Sequence, residues 1–275
     1  MSSILTNNSA MVALQTLQSI NGDLAKTTDM ISTGKKVAGA KDNAAVFAIS
    51  KVMESDVRGF KAVSESLSLG ESTVAVALAG AEQITDLLNE IKEKVVTATG
   101  ENVDHTKIQA DVNELVGQVG SIIGASQFNG ANLLNTAGGD ITVLSSLDRD
   151  SGGTVTAANI TVSSVDFEAG LDLSDIDVSS ATAADGSLAN IETHIQTAVN
   201  GAAALGASAK RIEGQGEFVS KVTDAMKSGI GALVDTNMEE ASARLQALQV
   251  QQQLATQSLS IANQAPQSIL SLFRG

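Results

Sequence analysis

Apolar residues recur at spacings of three and four over residues 10–31. Ala10, Leu17, Leu24 and Ile31 make one heptad row, and Ala13, Ile20 and Thr27 the other, with Thr27 its polar member. Two such rows predict a helix whose stripe suits a coiled-coil seam, although an amphipathic helix lying on its own domain's core has the same pattern. The far end of the chain mirrors this. Val234, Ala241, Leu248, Ala255, Ala262 and Ile269 form one row; Met238, Leu245, Gln252 and Leu259 form the other, which leads into Pro266. Leu270, Leu272 and Phe273 carry apolar character to the last residues, where chains are usually polar.

Between the seams, "STGKKVAGAKDNAA" (residues 32–45) reads as a loop followed by a helix capped at Asp42 or Asn43. Helical spacing then runs from Ala44 to about Thr99. "TGENVDH" turns the chain, Asp104 is a predicted N-cap, and a further helix spans about His105 to Ser126. After "QFNGANLLN" glycines punctuate short runs such as "NITVSSVDF", where Ile160, Val162 and Val165 suggest a strand. This insert, 140–187, is too short for much core of its own and is expected to sit outside the main body. Helical spacing returns near Leu188 and continues nearly to the end.

The predicted fold is mainly α: a long antiparallel helical bundle or coiled coil formed by the N- and C-terminal segments, with a small β-containing outer insert. The expected domains are 1–42 with 235–275 (inner terminal coiled coil), 43–139 with 188–234 (helical bundle), and the outward-facing acidic insert 140–187.

Composition sharpens the picture. Apolar residues make up 43% of the 275, but aromatics only 2%, with no Trp or Tyr. A thick globular core would lack its usual large fillers, whereas narrow helix-on-helix seams would not. A single proline also suits long helices. The net charge of −14 argues against nucleic acid as a partner. The insert alone holds nine acids against one base, Arg149. With no cysteine, disulfides and thiolate metal sites are excluded. The first twenty residues lack a Sec-type signal pattern, and no apolar run reaches membrane-spanning length, so no membrane insertion is expected and the default location is the cytoplasm.

Two seams at opposite ends of the sequence meet most simply as an antiparallel pair. Burying each Leu or Ile contributes about 1.5–3 kcal/mol, while fixing each residue's backbone costs about 1–2 kcal/mol. The terminal segments cannot balance that against each other alone. They require neighbours on their other faces, where Met11, Val12, Leu14, Leu270 and Phe273 offer apolar surface, so they are expected to be folded in an assembly and loose in a monomer.

No catalytic constellation is present. His105 and His194 fit no H-E-x-x-H spacing, and each reads as a solvated residue. No G-x-S-x-G elbow occurs, and "EGQGEF" lacks the third glycine and the preceding strand of a dinucleotide fingerprint. "LDRDSGG" and "LDLSDID" miss the calcium-loop pattern and read as solvated acidic faces. An enzyme is not expected, nor is any cofactor or metal.

"SILTNNSAMVALQTLQSINGDL", "ISTGKKVAGAKDNAAVFAIS", "SQFNGANLLN", "LGASAKRIE" and the stretch from "LVDTNMEEASARLQALQ" to "LSLFRG" together resemble bacterial flagellins of the short alphaproteobacterial kind. The resemblance covers about 1–138 and 188–275. It implies a structural subunit that polymerises with many copies of itself into the extracellular flagellar filament used for swimming, reversing the cytoplasmic default. It also implies export unfolded through the flagellar type III apparatus, with an export chaperone, hook-associated proteins and cap protein as partners. Absence of Cys and near-absence of Pro suit a chain threaded unfolded. The implied self-assembly seam comprises Ala10, Leu17, Ile20, Leu24, Ile31, Val234, Ala241, Leu245, Leu248, Ala255, Leu259, Ala262, Ile269 and Phe273. In flagellins of gut pathogens, an Arg, a Leu four residues on and a Glu in the next helix engage Toll-like receptor 5. The matching positions here are Glu90, Lys94 and Asp111, so weak or no activation of that receptor is expected. A hook–filament junction protein shares such termini, and a surface adhesin working through the acidic insert is a reading of a different class.

Overall fold

A computed structural model describes residues 7–150 and 152–272, with side chains described as far as residue 264. The chain divides into two compact units, one made of residues 1–55 and 226–275, the other of residues 56–225.

In the first unit, α1 (Asn8–Thr33) lies against α6 (Met238–Leu272). Asn7 caps α1 by accepting from the Ala10 amide at 3.1 Å, and its own amide donates to the Ala262 carbonyl at 2.7 Å. At the other end, Lys36 N–H donates to Val234 O (2.7 Å) and Thr236 N–H to Gly34 O (2.9 Å). Start therefore meets end, and the pair is antiparallel. α2 (Ala44–Ala98) opens in this unit with Asn43 as its cap, its side chain accepting from the Val46 amide at 3.1 Å. Asp42 instead folds the preceding loop, accepting from the amides of Ala38 and Gly39, both at 3.0 Å. The helix expected to run from Leu188 nearly to the end is two helices. α5 (Ala181–Val234) stops, and α6 restarts under Asn237, whose side-chain oxygen accepts from Glu239 and Glu240.

In the second unit, α2 continues and α3 (His105–Ala125) follows, capped by Asp104 as expected. A small hairpin, β1 (Gln127–Phe128) with β2 (Ala131–Asn132), leads to the longer antiparallel pair β3 (Ile141–Arg149) and β4 (Val155–Val162). A bulge falls between Leu144 and Ser146. The short helix α4 (Phe167–Gly170) and a 3₁₀ turn (Leu173–Asp175) precede α5.

The insert does not stand outside this unit. Val143, Val162, Phe167, Leu171, Leu173, Ile176 and Val178 are all buried. Close approach is the reason. A Cβ placed on Gly70 of α2 would lie 2.5 Å from Cγ2 of Val143, and one on Gly201 of α5 would lie 2.6 Å from Cε1 of Phe167. These two glycines leave notches that insert side chains fill. Polar ties complete the seat: Leu144 N–H donates to Ser66 Oγ (3.1 Å), Gln215 to the Ser145 carbonyl at the bulge (2.8 Å), and Arg211 to the Thr161 carbonyl (2.7 Å).

The far end of the hairpin is held by charge. Arg149 Nε lies 3.2 Å from both oxygens of Asp56, and its guanidinium also donates to the Gly153 carbonyl at 3.0 Å. A forked guanidinium–carboxylate contact fixes direction as well as distance. In an Arg149→Ala variant, hydrogen exchange at residues 152–157 is expected to quicken while the helices keep their protection. Unchanged exchange at the hairpin would contradict this role.

Asp172 and Asp177 tether the following turn. Hydrogen bonds from Ser174, led by its hydroxyl at 2.6 Å, and from the Ser179 amide at 2.8 Å hold these carboxyls below the usual carboxylate range. Their support is present at neutral pH and is lost as pH falls through those lowered values.

Candidate functional site

Row residues of α1 and α6 fall where these two helices pack together, and Val234, at the end of α5, accepts from the Lys36 amide in the turn after α1. Val234, Ala241, Leu248 and Ala255 are buried. Ala10, Leu17, Ile20, Leu24, Ile31, Leu245, Leu259 and Ala262 are half-buried. The Ile269 side chain and Phe273 lie outside the described residues. Met238, read from the sequence as a row member, is exposed, because the new helix begins there and the row is taken up only at Ala241.

Both polar intruders are satisfied. Thr27, the one buried residue of α1, donates its hydroxyl to the Asp23 carbonyl of its own helix at 2.8 Å. Gln252 donates to Asn21 Oδ1 at 2.7 Å, a cross-helix partner that the heptad rows did not include. Asn21 is the sequence neighbour of Ile20, a row member, and that adjacency was its available signal.

The outer faces of the same helices carry large apolar residues among their polar ones. Met11, Val12 and Leu14 of α1 and Val250, Leu254 and Ile261 of α6 are all exposed, Val12 to 63% and Ile261 to 68%. Scattered exposed apolar residues are ordinary, but six on one helix pair mark a surface suited to further contact. The described part of the seam rows carries no ionisable side chain, so no charge is desolvated where α1 meets α6.

A second cluster lies in the other unit. Glu90 and Lys94 of α2 and Asp111 of α3 line one groove together with Glu114, Leu115 and Gln118. Lys94 Nζ contacts Asp111 Oδ2 at 2.8 Å, and that partner raises the lysine pKa further above its ordinary value, with Glu90 adding to the effect. The ammonium is therefore kept charged and engaged.

The histidines depart from expectation. His194 is buried, and its Nε2 lies 3.0 Å from Asp175 Oδ1. His105 Nδ1 lies 3.2 Å from the Val178 carbonyl. Both thus hold the segment leading into α5, a long-range arrangement that sequence spacing does not reveal. Among the described residues, no group of three or more His, Cys, Asp or Glu could hold a metal, and no helix is long and apolar enough to cross a membrane.

Comparison with known proteins fits this distribution. Residues 4–138 match the bacterial flagellin N-terminal helical region and residues 188–273 the bacterial flagellin C-terminal helical region, leaving 139–187 outside both. A flagellin of Brucella melitensis biotype 1 is 41% identical over the full length of both chains. Flagellin FljM of Caulobacter vibrioides is 39% identical, covering 100% of this chain and 99% of its own. Flagellin A of Rhizobium meliloti is 31% identical, again over the whole of both chains.

Proposed function

The chain belongs to the bacterial flagellin family, and from that premise we propose that its terminal unit is the element through which copies join. Flagellins are structural proteins, not enzymes, that polymerise into the extracellular flagellar filament. The observation that supports this use of the terminal unit is that α1, twenty-six residues long, buries Thr27 alone. Its own chain leaves most of its apolar stripe half-covered or exposed. Neighbouring copies supply the missing cover, and assembly then gains the apolar burial that a single chain forgoes.

The finer roles follow the same logic. The chain serves swimming motility, and it passes unfolded through the flagellar type III apparatus, a route suited to no Cys and one Pro. Before assembly the apolar termini need cover, which an export chaperone provides; hook-associated proteins and the cap meet the same surfaces at the filament's ends. Sedimentation and negative-stain microscopy of concentrated pure protein test the core of this reading. Long fibres are expected, and a protein that stays monomeric at high concentration would contradict it. Relatives matching from end to end are flagellins, which favours a filament subunit over a junction protein.

Charge adds a condition. The sequence of the terminal unit has eight Lys and Arg against seven Asp and Glu. The second unit therefore carries nine basic and 24 acidic residues, a formal −15. Packing many such units side by side concentrates like charge, which salt screens over about 8 Å at 0.15 M but only about 30 Å at 0.01 M. The critical concentration for polymerisation is expected to rise as ionic strength is lowered across that range. No change would show that the acidic units stay too far apart to repel.

At the receptor-matching positions, a carboxylate (Glu90) stands where the family resemblance expects the receptor-engaging arginine. An ammonium already paired with Asp111 stands where an apolar contact is expected. Mismatched charge at a binding centre is strongly unfavourable, so half-maximal activation of Toll-like receptor 5 is expected to need on the order of 100-fold more protein than an activating flagellin. A Glu90→Arg, Lys94→Leu variant is expected to recover part of that loss. Equal potency of the unaltered protein in a reporter-cell assay would refute the assignment.

A further inference from the structure

The loop joining β1 and β2 is two residues long, Asn129 and Gly130, with Phe128 paired to Ala131 across it. Both loop residues are left-handed, with φ of 50° and 84°. That is the hairpin geometry for which Asn-Gly is preferred. Both are exposed. The chain has two other Asn-Gly pairs, Asn21–Gly22 and Asn200–Gly201, and they lie inside α1 and α5. Within α5 the Gly201 N–H is committed to the carbonyl four residues back. Gly201 is also enclosed, since a Cβ on it would collide with Val165 Cγ1.

We propose that Asn129 is a site of spontaneous deamidation in the folded protein. The Gly130 nitrogen lies between the paired positions and takes no part in the ladder. It attacks Cγ of Asn129; the N–Cγ bond forms as the Cγ–Nδ2 bond breaks, and the Gly130 amide proton departs with Nδ2 as ammonia. Glycine permits this because no Cβ crowds the five-membered imide. Water then opens the imide at either carbonyl, leaving aspartate or its β-linked isomer. The step consumes one water, releases one ammonia and involves no oxidant.

The consequence is structural. The β-linked product adds a backbone atom to a loop that has room for none, so the Phe128–Ala131 pairing is lost. The next link is Asn132, buried, which donates to the Ile123 carbonyl at 2.7 Å and accepts from the Leu134 amide at 2.8 Å. Modification thus loosens the strand pair beside the link between α3 and the entry to the insert, and each molecule carries a record of its age.

The test incubates the full-length unassembled protein in mildly alkaline buffer, native and in guanidinium, and maps aspartate and isoaspartate by mass spectrometry. In the native protein Asn129 is expected to convert more than about tenfold faster than Asn200, because the helical site must first open. In guanidinium the two rates are expected to converge. Equal native rates, or a rate gap that persists in guanidinium, would overturn the proposal. Neither outcome depends on whether the chain polymerises.

Discussion

Replacing Leu248 with aspartate is expected to abolish filament formation while leaving residues 56–225 folded. Leu248 is buried at the centre of the α6 row, on a helix that packs against α1. The change forfeits about 1.5–3 kcal/mol of side-chain burial and puts an unpaired carboxylate where the described rows offer no cation. Together these amount to about 5 kcal/mol or more per subunit, over ~1,000-fold in the concentration needed to polymerise. Leu17→Asp, on the facing helix, is expected to act alike. Pelleting assays and electron microscopy read the assembly, and far-UV circular dichroism reads the surviving helices. Full-length filaments from either variant would show that the rows are not the assembly seam.

Phe167→Ala is expected to produce the largest loss of stability in the second unit. Phe167 is fully buried, its ring fills the notch left by Gly201, and its amide donates to the Leu134 carbonyl at 2.8 Å. Removing a buried phenyl ring costs about 3–5 kcal/mol, because the rigid helix behind Gly201 cannot collapse to fill the space. For a unit of this size that is a fall in melting temperature of roughly 6–20 °C. Thermal unfolding of the full chain measures it. A shift of a degree or two would mean that the insert rests on the helices without helping to hold them.

These two experiments probe features of different legibility. The terminal rows were readable because heptad spacing is local and repeats, and the Asp104 cap because its signal lies within one turn. The break at 235–237 was readable too: Asn237 followed three residues later by Glu240 is a helix-start signature, overshadowed by apolar spacing that continues through it. β3 was hidden by its composition: the inward positions Val143, Ser145 and Leu147 keep two-residue spacing, but Ser145 is polar and Leu144 beside it is apolar, so no clean alternation shows in the sequence. The seating of the insert was not readable. Gly70 and Gly201 look in sequence like ordinary helix-weakening residues, and only the fold shows what fills the space beside them. The Lys94–Asp111 and His194–Asp175 pairs join residues on different elements, so no local pattern announces either.

Copies join through the terminal helices only if those helices find their cover on neighbouring chains. Hydrogen exchange of α1 and α6 in dilute monomer and in filament, followed residue by residue from 8 to 33 and from 238 to 264, tests it directly. Near-complete exchange in the monomer and strong protection in the filament is the expected result, with α3 protected in both. Helices as slow to exchange in the dilute monomer as in the filament would contradict it.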